Sequence, residues 1–395
     1  MNSQLTGTDR SHLRRALELA EGGRGRVSPN PLVGAVVVRD DRAIGEGFHR
    51  ELGDLHAERV ALEDCRKLGR DPAGATMYVT LEPCAHHGRQ PPCTEAILQA
   101  GIKRVVIASE DPSEKASGRG PGILRDAGVE VEFAFDEEAT EARLLNQPFR
   151  KHARTGLPLV TLKMAMSLDG RTSTAAGDSP WISGERSRAL VHAWRAESDA
   201  IAVGIGTALA DDPLLTARRQ DAARQPVRVV FDSRARLPLD SQLLRTIAEA
   251  PVLVVTSEDA DPARVKALRE AGAEVMAATG ATSADRIRAA LSDLGRRAVT
   301  SLFLEGGRTL AAAFFAADQI DQARTFIAPI LLGGFEPEGS DASRASVEGD
   351  GGVDDDPAAG AHPSPMTGPA RRTALSSGVE TVGEDILITA RFKEW

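Results

Sequence analysis

One histidine, one glutamate and two cysteines are spaced so that they could form a metal site that activates water. The sequence reads His56-Ala57-Glu58, and thiols follow at Cys84 and Cys93. One imidazole and two thiolates can hold zinc and leave the fourth tetrahedral position open to water. A carboxylate two residues after the histidine is well placed to move protons beside that water. We therefore predict His56, Cys84 and Cys93 as zinc ligands and Glu58 as the catalytic acid–base.

Other interpretations of these residues stay open. His86 or His87 could complete a four-ligand structural zinc site, although structural knuckles rarely carry a carboxylate two residues from a ligand. The thiols could also be buried as small apolar groups, which is the interpretation we adopt for Cys65. Zinc deaminases combine H-x-E with a pair of cysteines that have two residues between them. In this sequence eight residues lie between Cys84 and Cys93. The pattern therefore predicts a variant deaminase site.

Helical and extended patterns alternate along both halves of the chain, and these elements must position the site. Alternation of this kind predicts an α/β fold. A polar helical stretch over Glu137 to Lys151 leads out of the first half, and a strand pattern restarts at Pro158. We place a domain boundary near residue 150, which divides the chain into residues 1–150 and 151–395.

Composition excludes several classes of protein. The formal charge is −9, and residues 336–370 carry −7 of it through eight acidic residues and one arginine, so the remainder is near −2. That balance, with 4% aromatic residues, argues against a broad nucleic-acid surface. Residues 336–370 hold few large apolar groups and are predicted to be a disordered insertion.

Cysteine usage and hydropathy predict the compartment. Three cysteines in 395 residues cannot form a disulfide framework. The apolar runs are far shorter than the ~20 residues that cross a bilayer, and the first residues lack a signal-peptide core. We expect a cytoplasmic protein with no membrane partner.

The second half contains weaker signals of nucleotide binding. Two glycine loops follow predicted strands, at Val203 to Thr207 and at Glu305 to Leu310, and such loops can approach a pyrophosphate. Ser233 and Arg234 follow a third strand and would suit the 2′-phosphate of NADPH. The glycine loops could equally be tight turns without a ligand, and Ser233 and Arg234 could equally be a solvent-exposed strand end.

Longer motifs make a resemblance specific. NPLVGAVVV, His49 seven residues before HAE, and PCAHHGRQPPC together resemble the deaminase half of the bifunctional riboflavin-biosynthesis deaminase/reductases. KMAMSLDG, GDSPWI, LADDPLLT and EGG occur in the order of their reductase half. The resemblance implies an N-terminal cytidine-deaminase-like α/β/α sandwich and a C-terminal dihydrofolate-reductase-like α/β domain.

The resemblance also implies function and site residues. A zinc-dependent deamination of a phosphoribosylaminopyrimidine would precede NADPH-dependent reduction of its ribosyl group, in a homo-oligomer. The implied deaminase substrate contacts are Asn30, His49, His86 and Arg89. The implied NADPH contacts are Ala165, Trp181, Thr207, Asp211, Ser233, Gly306, Gly307, Arg308, Thr309 and Leu310. The implied reductase substrate contacts are Ser179, Arg195, Leu215, Arg218 and Glu305.

Some points stay open at this level. Ala85 and Gln90 stand where the family usually has serine and threonine, so hydroxyl contacts there are lost. Asp211 and Glu305 are both candidates to assist the reduction. The rival functions are a nucleic-acid base deaminase with an unrelated appendage and a non-catalytic zinc module joined to a nucleotide sensor. The acidic insertion could also have cost the reductase half its activity.

Overall fold

The computed structural model describes residues 5–87, 90–114, 116–172, 182–219, 222–333 and 372–395. The predicted site residues Arg89, Ser179 and Trp181 and the predicted insertion at 336–370 lie outside these ranges. Across the described ranges, each half of the chain forms a β-sheet with helices, as the alternation predicted. Within them, every helix is too short or too polar to cross a bilayer.

The first half forms a mixed sheet in the order β2-β1-β3-β4-β5. β1 and β2 form an antiparallel hairpin, whereas β3, β4 and β5 run parallel. The elements are α1 (Gly7–Ala20), a 3₁₀ turn (Glu21–Gly23), β1 (Gly34–Arg39), β2 (Arg42–Phe48), α2 (Ala57–Lys67), β3 (Thr76–Val79), α3 (Cys93–Gln99), β4 (Arg104–Ile107), α4 (Arg119–Asp126), β5 (Glu130–Phe133), α5 (Glu137–Leu145) and α6 (Gln147–Thr155).

Helices cover both faces of this sheet because its strands are apolar on both sides. Ala35 and Val37 of β1 pack in a cluster with α2, α3 and α4. The alternate residues Val36 and Val38 pack with α1 and α5 on the opposite face. Successive strand side chains point to opposite faces, so this half is a three-layer sandwich with α2 and α3 on one side.

The second half forms a longer sheet in the order β10-β9-β8-β7-β11-β6-β12-β14-β13. The first seven strands in this order, from β10 at the edge to β12, pair in parallel. β14 then pairs antiparallel with β12, and β13 pairs antiparallel with β14 at the other edge. The elements are β6 (Leu159–Ser167), α7 (Glu185–Glu197), β7 (Ala200–Gly204), α8 (Ile205–Asp211), β8 (Val227–Phe231), α9 (Gln242–Arg245), β9 (Val252–Thr256), α10 (Pro262–Glu270), β10 (Glu274–Ala277), α11 (Ser283–Arg296), β11 (Ser301–Leu304), α12 (Arg308–Ala316), β12 (Gln322–Ala328), β13 (Ser376–Val382) and β14 (Asp385–Arg391).

The parallel strands of the second sheet bring distant loops to one edge. β6, β7, β8 and β11 pair with one another in parallel register, so their carboxyl ends share an edge. The residues that follow β7, β8 and β11 are those for which a nucleotide contact was predicted. Crevices at such an edge are the usual ligand sites of open α/β sheets.

The structure differs from the sequence prediction at several elements. The single helix predicted over Glu137 to Lys151 is two helices, because the chain turns at Asn146, whose buried side chain pairs with the backbone of Leu32 at 2.8 and 2.9 Å. Helices α7 and α11 were not predicted, although Ile287, Ala290, Leu291 and Leu294 of α11 recur at helical spacing and are buried.

Helix α6 fastens the two halves together. Lys151 donates to the buried Asp321 at 2.6 Å. The neighbouring Arg150 donates to Ser109 and Glu110 of the first half, and to the backbone oxygen of Trp395 of the second at 2.6 Å. Buried charges need such partners. The contact between the two halves is therefore polar at α6, and the charged groups of Arg150 and Lys151 are both hydrogen-bonded.

Close packing of α1 on β1 makes a stability prediction at Gly34. A Cβ atom there would lie 2.0 Å from the carbonyl oxygen of Ala16, which is helix backbone and cannot move aside. We expect Gly34→Ala to destabilise the protein by about 1–3 kcal/mol, measured as a lower thermal midpoint in calorimetry. Gly122→Ala is the control, because its Cβ would meet nothing within 4 Å inside α4. An unchanged midpoint for Gly34→Ala would contradict this packing.

Candidate functional site

The predicted zinc ligands converge on one point. His56 Nδ1 lies 3.6 Å from Cys84 Sγ and 3.4 Å from Cys93 Sγ, and the three ligand atoms are all within 4.8 Å of one another. Zinc in tetrahedral geometry, about 2.3 Å from sulfur and 2.0–2.1 Å from nitrogen, separates such ligands by roughly 3.5 Å. The donor set therefore fits zinc in both chemistry and spacing.

Two helix starts and one loop place these ligands. His56 is the N-cap residue of α2, and Cys93 is the first residue of α3. Cys84 lies between β3 and α3, where its sulfur accepts a hydrogen bond from the Cys93 backbone N–H at 3.3 Å. Arg59 of α2 donates to the carbonyl oxygens of Pro91 and Pro92, which holds the approach to α3. The helix starts also favour negative thiolates.

The electrostatics of this cluster suit metal binding and proton transfer. Hydrogen bonding from Cys93 and the nearby His56 hold the pKa of the Cys84 thiol well below its usual range. Glu58 is 3% exposed, and burial, reinforced by Cys84, raises the pKa of its carboxyl group. A raised carboxyl pKa lets one group both accept and return a proton.

Asn30 and His49 lie beside the ligands as a hydrogen-bonded pair. The His49 ring is 5.5 Å from the His56 ring, centroid to centroid. Its Nδ1 faces the carbonyl oxygen of Leu55 at 3.1 Å, so Nδ1 carries the proton and Nε2 accepts from the Asn30 side-chain N–H at 3.1 Å. This arrangement directs the amide oxygen of Asn30 away from His49 and leaves it available to another donor.

The described histidines of the PCAHH segment do not complete a structural site. Within the described ranges, the His, Cys and carboxylate atoms close enough to share a metal are those of His56, Cys84 and Cys93. His86 is exposed near Asp111, and His87 contacts Glu95 at 3.4 Å. The ligand set thus keeps a position open among these residues. Cys65 is buried in α2 with apolar neighbours, as expected.

The predicted glycine loops of the second half come together at the carboxyl edge of the sheet. A Cβ on Gly307 would lie 3.4 Å from Thr207 Oγ1, and one on Gly204 would lie 3.6 Å from Leu310. The loops after β7 and β11 therefore face each other across a shallow groove, which we call the cradle. Replacing its glycines by residues with side chains would fill this groove. Gly307 also caps the start of α12, which favours a phosphate nearby.

A charged cluster lies under this cradle. Arg195 binds Glu305 in a bidentate pair at 2.6 and 2.9 Å, and both side chains are largely buried. Although burial opposes ionisation, Arg195 holds the pKa of Glu305 below its usual value. Leu215 is buried beside this region, whereas Arg218 is exposed and interacts electrostatically with the pair.

The remaining predicted nucleotide contacts occupy the same edge of the sheet. Ala165 lies near the end of β6 and is half-buried. Asp211 ends α8 and is exposed, as is Ser233 after β8. The loops thus surround a surface at the carboxyl ends of neighbouring strands, which fits an extended dinucleotide. The predictions for Ser179, Trp181 and Arg89 concern residues that the structure does not describe.

Sequence reasoning missed two residues of the charged cluster. Lys163 of β6 interacts with Glu305 and Arg195, and burial lowers the pKa of its amine. His192 of α7 accepts from the backbone N–H of Arg218 at 3.4 Å, and burial lowers the pKa of its ring. A lysine in the apolar strand LVTLKMAM was the available signal, because buried lysines are rare without a partner or function.

Comparisons with known proteins agree with both halves. Residues 6–109 match the cytidine and deoxycytidylate deaminase zinc-binding region, and residues 158–348 match the RibD C-terminal domain. The chain is 42% identical over 333 residues to the riboflavin biosynthesis protein RibD of Actinobacillus pleuropneumoniae, covering 84% of this chain and 87% of that protein. It belongs to the RibD family. It is a bifunctional riboflavin-biosynthesis enzyme, with a zinc-dependent deaminase and an NADPH-dependent reductase.

Other RibD proteins extend the agreement along the whole chain. RibD of Escherichia coli K12 is 39% identical over 339 residues, covering 82% of this chain and 89% of that protein. The structure of Acinetobacter baumannii RibD superposes with a TM-score of 0.79 at 36% identity, covering 98% and 99% of the two chains. A diaminohydroxyphosphoribosylaminopyrimidine deaminase/5-amino-6-(5-phosphoribosylamino)uracil reductase of Thermotoga maritima gives 0.78 at 35% identity, with the same coverage.

RibD membership decides between the alternatives raised by the sequence. The second half is a RibD reductase domain, so the alternative of an unrelated appendage is wrong. The non-catalytic zinc module is excluded on the same ground. The predicted α/β fold of each half is confirmed by the sheets described above and by the RibD structures.

Metal content gives a direct test of the ligand set. We expect Cys84→Ala to lower bound zinc from about one equivalent to below a tenth, because losing one of three protein ligands opens the site. Elemental analysis of the purified protein measures this. Cys65→Ala is the matched control, since Cys65 is a buried thiol outside the ligand group. Full zinc in the Cys84 variant, or loss in the Cys65 variant, would contradict the assignment.

Proposed function

We propose that the chain acts twice in succession on one substrate. Residues 1–150 hydrolyse an exocyclic amine from 2,5-diamino-6-(5-phosphoribosylamino)pyrimidin-4-one, adding water and releasing ammonia. Residues 151–395 then reduce the ribosyl group of the product to a ribityl chain. The observation that carries this proposal is the buried Glu58 carboxyl beside a three-ligand metal site in the same chain as a cationic cluster under a dinucleotide cradle.

In the deaminase half, His56, Cys84 and Cys93 hold the metal and Glu58 transfers protons. Zinc supplies Lewis acidity that activates water near neutral pH. Glu58 would accept one proton from the attacking water and donate it to the ring nitrogen. It would then take the remaining proton from the added hydroxyl group as the carbonyl forms and pass it to the departing amine, which leaves as ammonia. Its burial excludes bulk solvent from these transfers, and its raised pKa keeps both protonation states accessible.

Substrate recognition in this half falls to Asn30, His49, His86 and Arg89. The free amide oxygen of Asn30 would accept from an N–H of the pyrimidine ring. His49 keeps that amide in place through its neutral tautomer. The exposed His86 and Arg89 would reach the ribose and phosphate, and a guanidinium is suited to phosphate.

In the reductase half, NADPH would lie along the carboxyl edge of the sheet. The contacts we propose are Ala165, Trp181, Thr207, Asp211, Ser233 and the loop Gly306, Gly307, Arg308, Thr309 and Leu310. NADPH bound there would supply the hydride that reduces C1′ of the substrate. The protein therefore binds and orients both molecules.

The charged cluster would hold the substrate in that half. Ser179, Leu215 and Arg218 are proposed contacts, with Arg195 and Glu305 beneath them. Glu305 accepts two hydrogen bonds from Arg195 at 2.6 and 2.9 Å, so Glu305 would orient the Arg195 guanidinium toward the substrate. Arg195 and Arg218 add positive charge where the substrate phosphate would enter.

We also propose a cytoplasmic homo-oligomer. Thiolate ligands and NADPH both suit a reducing compartment. The edge strand β13 supports association, because Val379 is 72% exposed there and Leu375 just before it is 63% exposed. Exposed edges with apolar residues are common pairing surfaces.

Glu58→Gln tests the deaminase half. The amide is nearly isosteric but cannot exchange protons, so we expect ammonia release to fall by about 10³-fold or more, with zinc still bound. NADPH oxidation with the deaminated product as substrate should be unchanged. Glu63→Gln on the same helix is the control, because Glu63 contacts only Lys67 among the ion pairs described. Wild-type ammonia release by the Glu58 variant would refute the assignment.

Arg195→Lys tests the reductase cluster. A lysine cannot form the bidentate pair with Glu305, so we expect the KM for the deaminated product to rise about tenfold or more while ammonia release stays the same. Steady-state kinetics of NADPH oxidation measure this. Arg186→Lys, an exposed change on the same helix, should behave like the parent protein. Equal KM values for both variants would remove Arg195 from the site.

A further inference from the structure

The loop that carries Asn30 is held by the reductase half. We define the asparagine loop as residues 27–32, between the 3₁₀ turn and β1. Ser28 Oγ in this loop donates to Asp199 Oδ2 at 2.8 Å and lies 3.1 Å from Thr300 Oγ1. Asp199 precedes β7 and Thr300 precedes β11, so both belong to the second sheet. A side chain 171 residues away in sequence therefore holds the deaminase loop.

Asp199 is a buried carboxylate with several hydrogen-bond donors, so its bond to Ser28 is not an isolated surface contact. It is 5% exposed. Its Oδ2 also accepts from Thr300 N at 2.7 Å, Thr300 Oγ1 at 2.8 Å and Ser301 N at 3.0 Å, and Arg224 pairs with Oδ1. A buried carboxylate with so many donors is rigidly placed. Ser28 thus docks on a fixed group.

The other end of the asparagine loop is fixed as well. Asn146, between α5 and α6, pairs with both the N–H and the carbonyl of Leu32. Asn30 lies between the two anchors, with its backbone N–H bonded to Val27 O at 2.9 Å and its side chain bonded to His49. Movement of Ser28 would therefore be transmitted to Asn30 over two residues.

We propose that Asp199 of the reductase half, through Ser28, is a positioning residue for substrate binding in the deaminase half. The inference rests on the proposed function, since it takes Asn30 to contact the pyrimidine. The metal ligands and Glu58 do not contact the asparagine loop through these bonds. Loss of the anchor should therefore weaken substrate binding and leave the chemical step intact.

Ser28→Ala in the full-length, zinc-loaded protein tests this inference. Asp199 keeps its other donors, so the fold should persist. We expect the KM for ammonia release to rise about five- to tenfold, the size of the net contribution of one ordinary hydrogen bond, with kcat within about twofold of the parent. Amide hydrogen exchange in the asparagine loop should accelerate at least about fivefold, and the KM for NADPH-dependent reduction should not change.

Ser301→Ala is the matched control. It also removes a serine hydroxyl bonded to Asp199, which accepts from the Asp199 backbone N–H at 2.9 Å, but it does not touch the asparagine loop. Parent-like exchange in the loop and parent-like KM for this variant would support the proposal. Equal effects of the two variants, or parent-like exchange and KM in Ser28→Ala, would overturn it. If the parent protein releases no ammonia, the proposed function fails, while the exchange comparison still decides the positioning role.

Discussion

The deaminase chemistry depends on two helix starts meeting at one point. His56 precedes α2 and Cys93 begins α3, so both predicted ligands lie where backbone N–H groups have no partner within the helix and the helix dipole favours negative charge. Glu58 follows from the same geometry, because the second residue of α2 points to the metal side and is buried by the packing of that helix on β1 and β2. A small rotation of α2 would displace His56 and Glu58 together. The close packing of glycines 45 and 47 against Ala61 and its neighbours resists that rotation.

The two halves are joined more closely than a tether would require. Lys151 of the junction helix α6 forms a buried ion pair with Asp321, and its neighbour Arg150 links Ser109 of the first half to the backbone of Trp395 in the second. Ser28 adds a contact from the asparagine loop to the second sheet. Buried charges that lose a partner are costly, so these contacts fix the geometry of the junction. The asparagine loop of one half and the framework of the other thus share the same hydrogen bonds.

Local chemistry could be predicted from the sequence, and long-range placement could not. The cluster of His56, Cys84 and Cys93 could be predicted because residue type and spacing are typical of a zinc site, and strands such as β8 and β11 because their apolar runs are compact. The turn at Asn146 was missed, since its cause is a backbone partner at Leu32, more than a hundred residues earlier. Lys163 was not singled out because only the fold brings it to Glu305 and Arg195. The roles of Arg89, Ser179 and Trp181 stay predictions.

The central claim is that one chain performs two reactions in a fixed order. A progress curve with the purified, zinc-loaded protein and the diaminopyrimidinone ribosyl phosphate would follow ammonia and NADPH together. The account predicts that ammonia appears first and that NADPH is consumed only after a lag, in equal final amounts. The lag should vanish when the deaminated product is supplied. Consumption of NADPH without prior ammonia release, or ammonia release with no NADPH consumption at all, would contradict it.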